Sequence, residues 1–156
     1  MQVEATLTTI QRALFLMELE LFKELNSDEL AAIAAEMVEM HFKAGETIFQ
    51  EGDAEARMHI VIEGAVEHLR DGVVVRRATR GMPFGLFGVM GIPDSETIRA
   101  TAPTRAIALS RADFIEAILD NPAFAVGVIR ALAKTAQSFA HRIEALEKRV
   151  TSLEQG

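Results

Sequence analysis

An α+β fold, a small β-sandwich with helices gathered at both ends of the chain, is predicted by three observations. Short β-type segments alternate with glycine turns through residues 40–110. Apolar residues recur at helical spacing before that region and at heptad spacing after it. The Asp71-Gly72 pair stands between two apolar runs, which is a hairpin signal. Many short strands at close spacing make a sandwich or a barrel.

Residues 1–39 read as an N-terminal helical segment. Leu14, Met17, Leu21 and Leu25 fall three or four apart and predict one apolar helix face. Asn26 with Glu29 three positions later reads as a capping box opening a second helix. Its apolar face would be Leu30, Ile33, Ala34 and Met37. This segment is expected to pack on its own domain; docking of part of residues 1–20 on a partner is the alternative. Strands are then predicted at Thr47-Ile48-Phe49, from Met58 to Ile62, from Ala65 to Leu69, from Val73 to Ala78, from Thr97 to Ala100 and from Arg105 to Leu109.

Residues 111–156 return to helix. A short one over Asp113–Leu119 is stopped by Asn121-Pro122, because the residue before proline avoids the helical region. A long helix follows. Its apolar positions step by four and three: Leu132, Ala136, Phe139, Ile143, Leu146, Val150, Leu153. In a heptad, Ala136, Ile143 and Val150 take position a, and Leu132, Phe139, Leu146 and Leu153 take position d. Apolar β-branched residues at a with leucine at d favour two parallel strands. Arg142 and Arg149 at g would meet Glu147 and Glu154 at the following e positions as opposite charges. A parallel homodimer is expected; a lone helix packed against its own sandwich is the alternative.

The length of 156 residues suits one domain with a real core. A net charge of −7 opposes a surface built to neutralise phosphates, so neither nucleic acid nor an anionic membrane is an expected partner. With no cysteine, disulfides, thiolate metal sites and thiol nucleophiles are excluded. No apolar run approaches the length of a membrane span, and the N-terminus lacks a secretory pattern, so a soluble cytoplasmic protein is expected.

Several segments carry a likeness to a known family. Leu21-Phe22-Lys23-Glu24-Leu25 precedes a capped helix. Lys43-Ala44-Gly45-Glu46 leads into Ile48-Phe49-Gln50-Glu51-Gly52-Asp53, and Ile60-Val61-Ile62-Glu63-Gly64 follows. Phe84-Gly85, Thr97-Ile98-Arg99-Ala100, Leu109-Ser110, Phe114 and Asn121-Pro122 complete the set. Over residues 20–150 this resembles the cyclic-nucleotide-binding domain of the bacterial catabolite-activator and kinase-regulatory-subunit superfamily. The resemblance implies a jelly-roll sandwich with N-terminal helices, a phosphate-binding cassette at about residues 83–100, and a long dimerisation helix. It also implies that the cassette would hold a cyclic phosphate with backbone N–H groups and one arginine, and the ribose hydroxyl with a glutamate.

The cassette departs from that pattern. The glutamate position is Leu86, which cannot accept a hydrogen bond. The arginine position is Asp94, and Glu96 adds a second carboxylate. The ligand region is thus Phe84, Gly85, Leu86, Phe87, Gly88, Asp94, Ser95, Glu96 and Thr97, with its charge reversed. On the long helix, Phe139 and Ala140 stand where the bacterial activator presents hydroxyls to adenine, and Ser138 is one position away. Arg99 could in principle reach around to restore a cation. Two outcomes stay open for the apolar stretch from Phe84 to Ile92: its side chains fill the vacated cavity, or an apolar pocket remains for a hydrophobic or neutral small molecule.

No catalytic motif occurs. The histidines His41, His59, His68 and His141 lack the spacing of jelly-roll metal enzymes, and a lone axial haem ligand at His59 or His68 is remote. The heptads run almost to Gly156, so for a complete chain no DNA-reading head is expected after them; for a fragment the missing part would decide the function. The expectation is therefore a non-catalytic regulatory or adaptor module without a cofactor, homodimeric, with a protein partner. A ligand sensor binding a cyclic nucleotide or another small molecule in an altered pocket is the alternative, and a jelly-roll enzyme the remote one.

Overall fold

The computed structural model describes residues 6–50, 57–92 and 96–156. In chain order the elements are α1 (Thr9–Met17), a 3-10 turn (Glu20–Phe22), α2 (Ser27–Glu36), β1 (Val38–Phe42), β2 (Thr47–Phe49), β3 (Arg57–Glu63), β4 (Ala65–Arg70), β5 (Val73–Thr79), β6 (Pro83–Phe84), α3 (Leu86–Val89), β7 (Thr97–Ala100), β8 (Thr104–Ser110), α4 (Arg111–Asp120) and α5 (Pro122–Glu154). The strands form two antiparallel four-stranded sheets, β1-β8-β3-β6 and β2-β7-β4-β5. This is the predicted α+β sandwich.

Alternation along a strand sends successive side chains to opposite faces. In β3, Met58, Ile60 and Ile62 join the helices in one core, while Val61 joins the core between the sheets. Its register partner β8 does the same, with Ile107 and Leu109 on the helix side and Ala106 inside the sandwich. Both faces of these two strands are buried, which is why they read as continuous apolar runs.

The N-terminal face read from Leu14, Met17, Leu21 and Leu25 does not form as one helix. Helix α1 opens on a Thr8–Gln11 capping box and stops at Met17. Leu19 is extended, and the chain turns into the 3-10 segment. Phe15 and Leu16 enter the core instead, leaving Leu14 and Met17 exposed, while Leu21 and Leu25 are buried after the turn. The Asn26–Glu29 capping box opens α2 as its spacing predicts. Met37 is not helical but an extended cap leading straight into β1, and it is buried there.

Helix α5 is anchored only along its first part. The Phe124 ring stacks on Phe22 at 5.3 Å and meets the edge of Phe114 at 5.8 Å. One turn on, a Cβ at Gly127 would lie 2.0 Å from the Leu21 carbonyl oxygen, so glycine lets the helix lie directly on the 3-10 turn. Arg130–Glu24 at 3.2 Å and Lys134–Glu20 at 3.7 Å extend the clasp at the surface. Every residue from Leu132 to Gly156 is exposed.

Candidate functional site

The cassette begins where β6 pairs with β3, placing Phe84 opposite His59. The two rings stack at 4.6 Å and lie nearly parallel. Gly85 then takes a left-handed conformation, φ 84°, and caps α3. A Cβ there would stand 2.3 Å from the Arg57 carbonyl oxygen, so the glycine is required by both the turn and the close approach to β3. Leu86 is half-buried and packs on the helix-side core, Val89 is fully buried, and Phe87 faces an open groove. Leu86 thus turns apolar surface inward while Phe87 leaves a wall outside.

His59 donates from Nδ1 to the Arg57 carbonyl at 3.2 Å. Burial pushes its pKa down to about 4, with the nearby Arg57 charge acting in the same direction. The unfolded chain therefore binds a proton near pH 6.5 that the folded chain refuses. His59 supports the fold fully above that pH and loses its contribution as pH falls toward 4. Urea titrations are expected to show stability dropping by about 2 kcal/mol between pH 7 and pH 5, and His59→Phe should flatten that slope.

Glu96 is the residue whose surroundings sequence reasoning misjudged. It stands just ahead of β7, and its side chain is only 4% exposed. It is not a bare carboxylate. His68 Nδ1 lies 3.1 Å away, Arg70 Nη2 donates at 3.1 Å, and Arg76 Nη2 donates at 2.5 Å. Burial alone would raise its pKa, but Arg76 and His68 hold it below the usual carboxylate range. The Arg76 guanidinium also sits 5.4 Å over the Phe87 ring, tying the hairpin to α3. His68 is thereby committed to a carboxylate, and His59 to stacking and a carbonyl.

These groups open onto a groove of about 510 Å³ between the β4–β5 hairpin, α3 and α5. Three arginines, Arg70, Arg76 and Arg142, and one glutamate line it. Its apolar walls are Val74, Val75 and Phe87 on one side and Phe139, Ile143 and Leu146 on the other. Of the long-helix positions near the expected base site, Phe139 lines the groove; Ala140 and Ser138 are exposed and are not part of its lining. Arg99 points away from it and pairs with Glu67 across the neighbouring strand. Thr97 opens β7 opposite Leu69. Gly88 lies in α3. Asp94 and Ser95, like Glu51, Gly52 and Asp53, lie outside the described residues.

The second candidate surface is the α5 seam. Leu132, Phe139, Ile143, Leu146, Val150 and Leu153 are 38–79% exposed, and of these Phe139, Ile143 and Leu146 also line the groove. Ala136, Arg142, Glu147 and Arg149 are exposed on the same length of helix. The structure adds Ile129, one heptad before Ala136 and also exposed, which lengthens the a series to four.

Comparison with known proteins gives the geometry its family. The model of the cyclic nucleotide-binding domain matches residues 39–121, just over half of the chain. The chain belongs to the cyclic nucleotide-binding domain family. Within it, the chain is 33% identical over 102 residues to a cAMP-dependent protein kinase regulatory subunit from Yarrowia lipolytica, covering 65% of this chain and 27% of that protein. It is 29% identical over 126 residues to a CRP-like cAMP-activated global transcriptional regulator from Mycobacterium tuberculosis, covering 73% and 54%. The chain thus spans about a quarter to a half of the length of these relatives. The catabolite activator protein of Thermus thermophilus shares the fold at a TM-score of 0.73 and 22% identity, covering 82% of this chain and 63% of that one. The sandwich, the N-terminal helices and the long C-terminal helix are therefore the family's scaffold, as the resemblance implied.

Proposed function

We propose that this domain is a non-catalytic regulatory or adaptor module that acts as a parallel homodimer through α5, engages a protein partner in the cytoplasm, and does not hold a cyclic nucleotide in the family's usual mode. The observation that carries this reading is the uncovered seam from Ile129 to Leu153 on a helix already fixed at its other end. An apolar stripe of this length on a lone helix leaves its hydrophobic area in water, and pairing with a second copy removes it. The Arg142–Glu147 and Arg149–Glu154 spacing suits a parallel pair. The altered cassette supports the loss of ordinary nucleotide binding: Leu86 packs inward and offers no acceptor.

Analytical ultracentrifugation tests the dimer. The wild type is expected to sediment as a dimer at micromolar concentration. Ile143→Lys combined with Leu146→Lys should give a monomer whose sandwich melts normally, because both positions lie beyond the anchored part of α5. A monomeric wild type would remove the dimer from the account.

A second reading, a sensor for a small molecule in an altered pocket, is favoured by one observation: the groove beside the cassette has a volume in the range of ligand sites and is not filled by Leu86.

A further inference from the structure

We propose that the outer face of α4, with the groove it forms against α2, docks a lysine- or arginine-bearing segment of a partner protein. This rests on the protein-partner reading above and names the surface and the partner's chemistry.

The surface begins as an apolar helix face turned to solvent. Leu119 is 76% exposed and Ile115 is 38% exposed, one turn apart on α4. Phe114 and Ala117 hold the helix to the core from its other side. Beside Leu119 the same helix carries Asp113, Glu116 and Asp120 at spacings of three and four, which makes them one strip. That strip shares a groove with Glu36 of α2, and the groove's apolar lining includes Ile33, Leu109 and Ala117.

Charge complementarity selects the occupant. Four carboxylates and no lysine or arginine line the groove. Among the described residues none of the four takes part in an ion pair. Like charges one turn apart on a helix repel. Glu36 and Asp120 are also the last residues of α2 and α4, where the helix dipole is negative, and neither helix has a basic residue in its last turn. The fold gains nothing from carboxylates so placed. A cation set among them relieves their repulsion and complements both helix ends.

Size and neighbours select the cation's source. The groove holds about 180 Å³, below the roughly 300–1,000 Å³ of small-molecule sites, so it suits one long side chain. Among the described residues no three acidic groups converge to hold a metal ion. A lysine or arginine stem lies along apolar lining while its head stays among carboxylates. An apolar neighbour on the same segment then covers Leu119, which a free amine would leave in water.

The probe is an acetylated and amidated peptide of two Lys-Leu-Ala-Ala repeats, titrated into the full chain while backbone amide signals are followed by NMR. Signals of Ile33, Glu36, Glu116, Leu119 and Asp120 should shift saturably at or below about 1 mM. The same peptide with glutamate for lysine should leave them fixed. Putrescine carries the same two charges without apolar side chains and should bind at least about tenfold more weakly; equal binding overturns a protein segment as the occupant. Glu116→Gln combined with Asp120→Asn should weaken peptide binding at least about tenfold and leave the melting temperature unchanged or raised, since no fold contact is lost. Leu119→Ala should also weaken binding at an unchanged melting temperature. A charge variant that binds as tightly as wild type overturns the proposal, as does one that melts lower, because its carboxylates then serve the fold. Should that variant fail to fold, unchanged binding by Leu119→Ala or by the glutamate peptide overturns it instead. Saturable shifts confined to other surfaces overturn this groove while keeping the protein-partner reading, and sedimentation of the same samples reads the dimer separately.

Discussion

Phe124→Ala is expected to lower the unfolding free energy by about 3–5 kcal/mol, the usual cost of emptying a fully buried aromatic position. Phe124 has no exposed surface and ties the adjacent helices α4 and α5 to the distant 3-10 turn: its ring stacks on Phe22, meets Phe114 at the edge, and sits at the start of α5. The cavity would open beside backbone that cannot easily collapse into it, because Gly127 already rests against the Leu21 carbonyl. A domain of this size typically has only about 5–15 kcal/mol to lose. Urea denaturation followed by circular dichroism measures the change, and a loss below about 1 kcal/mol would show that α5 is not anchored through this ring. The functional consequence follows from position. Beyond Leu132 the helix carries the Lys134–Glu20 ion pair and one wall of the groove, and its course is set by the anchored part, so loosening Phe124 should also weaken any coupling between the cassette and the seam.

Much of this architecture can be read from the chain because its signals are local. The Asn26–Glu29 box, the Asp71-Gly72 turn and the Asn121-Pro122 break each act within a few residues, and each appears where its spacing implies. The short strand β6 and the single turn of α3 carry too few residues to show a period, and they were not legible. The break between α1 and the 3-10 turn escaped for a different reason. No glycine or proline marks it, and the turn is fixed by contact with α5, more than a hundred residues later. Glu96 shows the same limit more sharply. Sequence places a carboxylate next to a phosphate cradle and implies repulsion. The partners that neutralise it lie on β4 and β5, 20–28 residues away, and only the register of the sheet brings them together. Ile129 was legible in principle, since it lies seven residues before Ala136. Its neighbour Arg130, however, serves the contact with the 3-10 segment through Glu24, so the start of the seam overlaps the anchored part of α5.

The largest functional effect is expected at the cassette. In the reading proposed above, Leu86 stands at the family's glutamate position and would leave the ribose hydroxyl without an acceptor, costing about 1–3 kcal/mol. In the same reading, Asp94, which lies outside the described residues, stands in the sequence where the family's arginine would, and the lost attraction with the added repulsion would cost about 3 kcal/mol or more. Together these amount to roughly three to five orders of magnitude in affinity. Glu96 does not add to that sum as a free charge, because Arg70, Arg76 and His68 already hold it. Phe139 rather than Ser138 lines the helix side of the groove, so the hydroxyl that could have met a base is absent from its lining.

Calorimetric titration of the chain with cyclic AMP tests this claim most directly. The account predicts no measurable saturation up to about millimolar nucleotide, in keeping with a scaffold retained and a ligand mode lost. A dissociation constant in the micromolar range or tighter would contradict it, and would return this domain to the family's ordinary role.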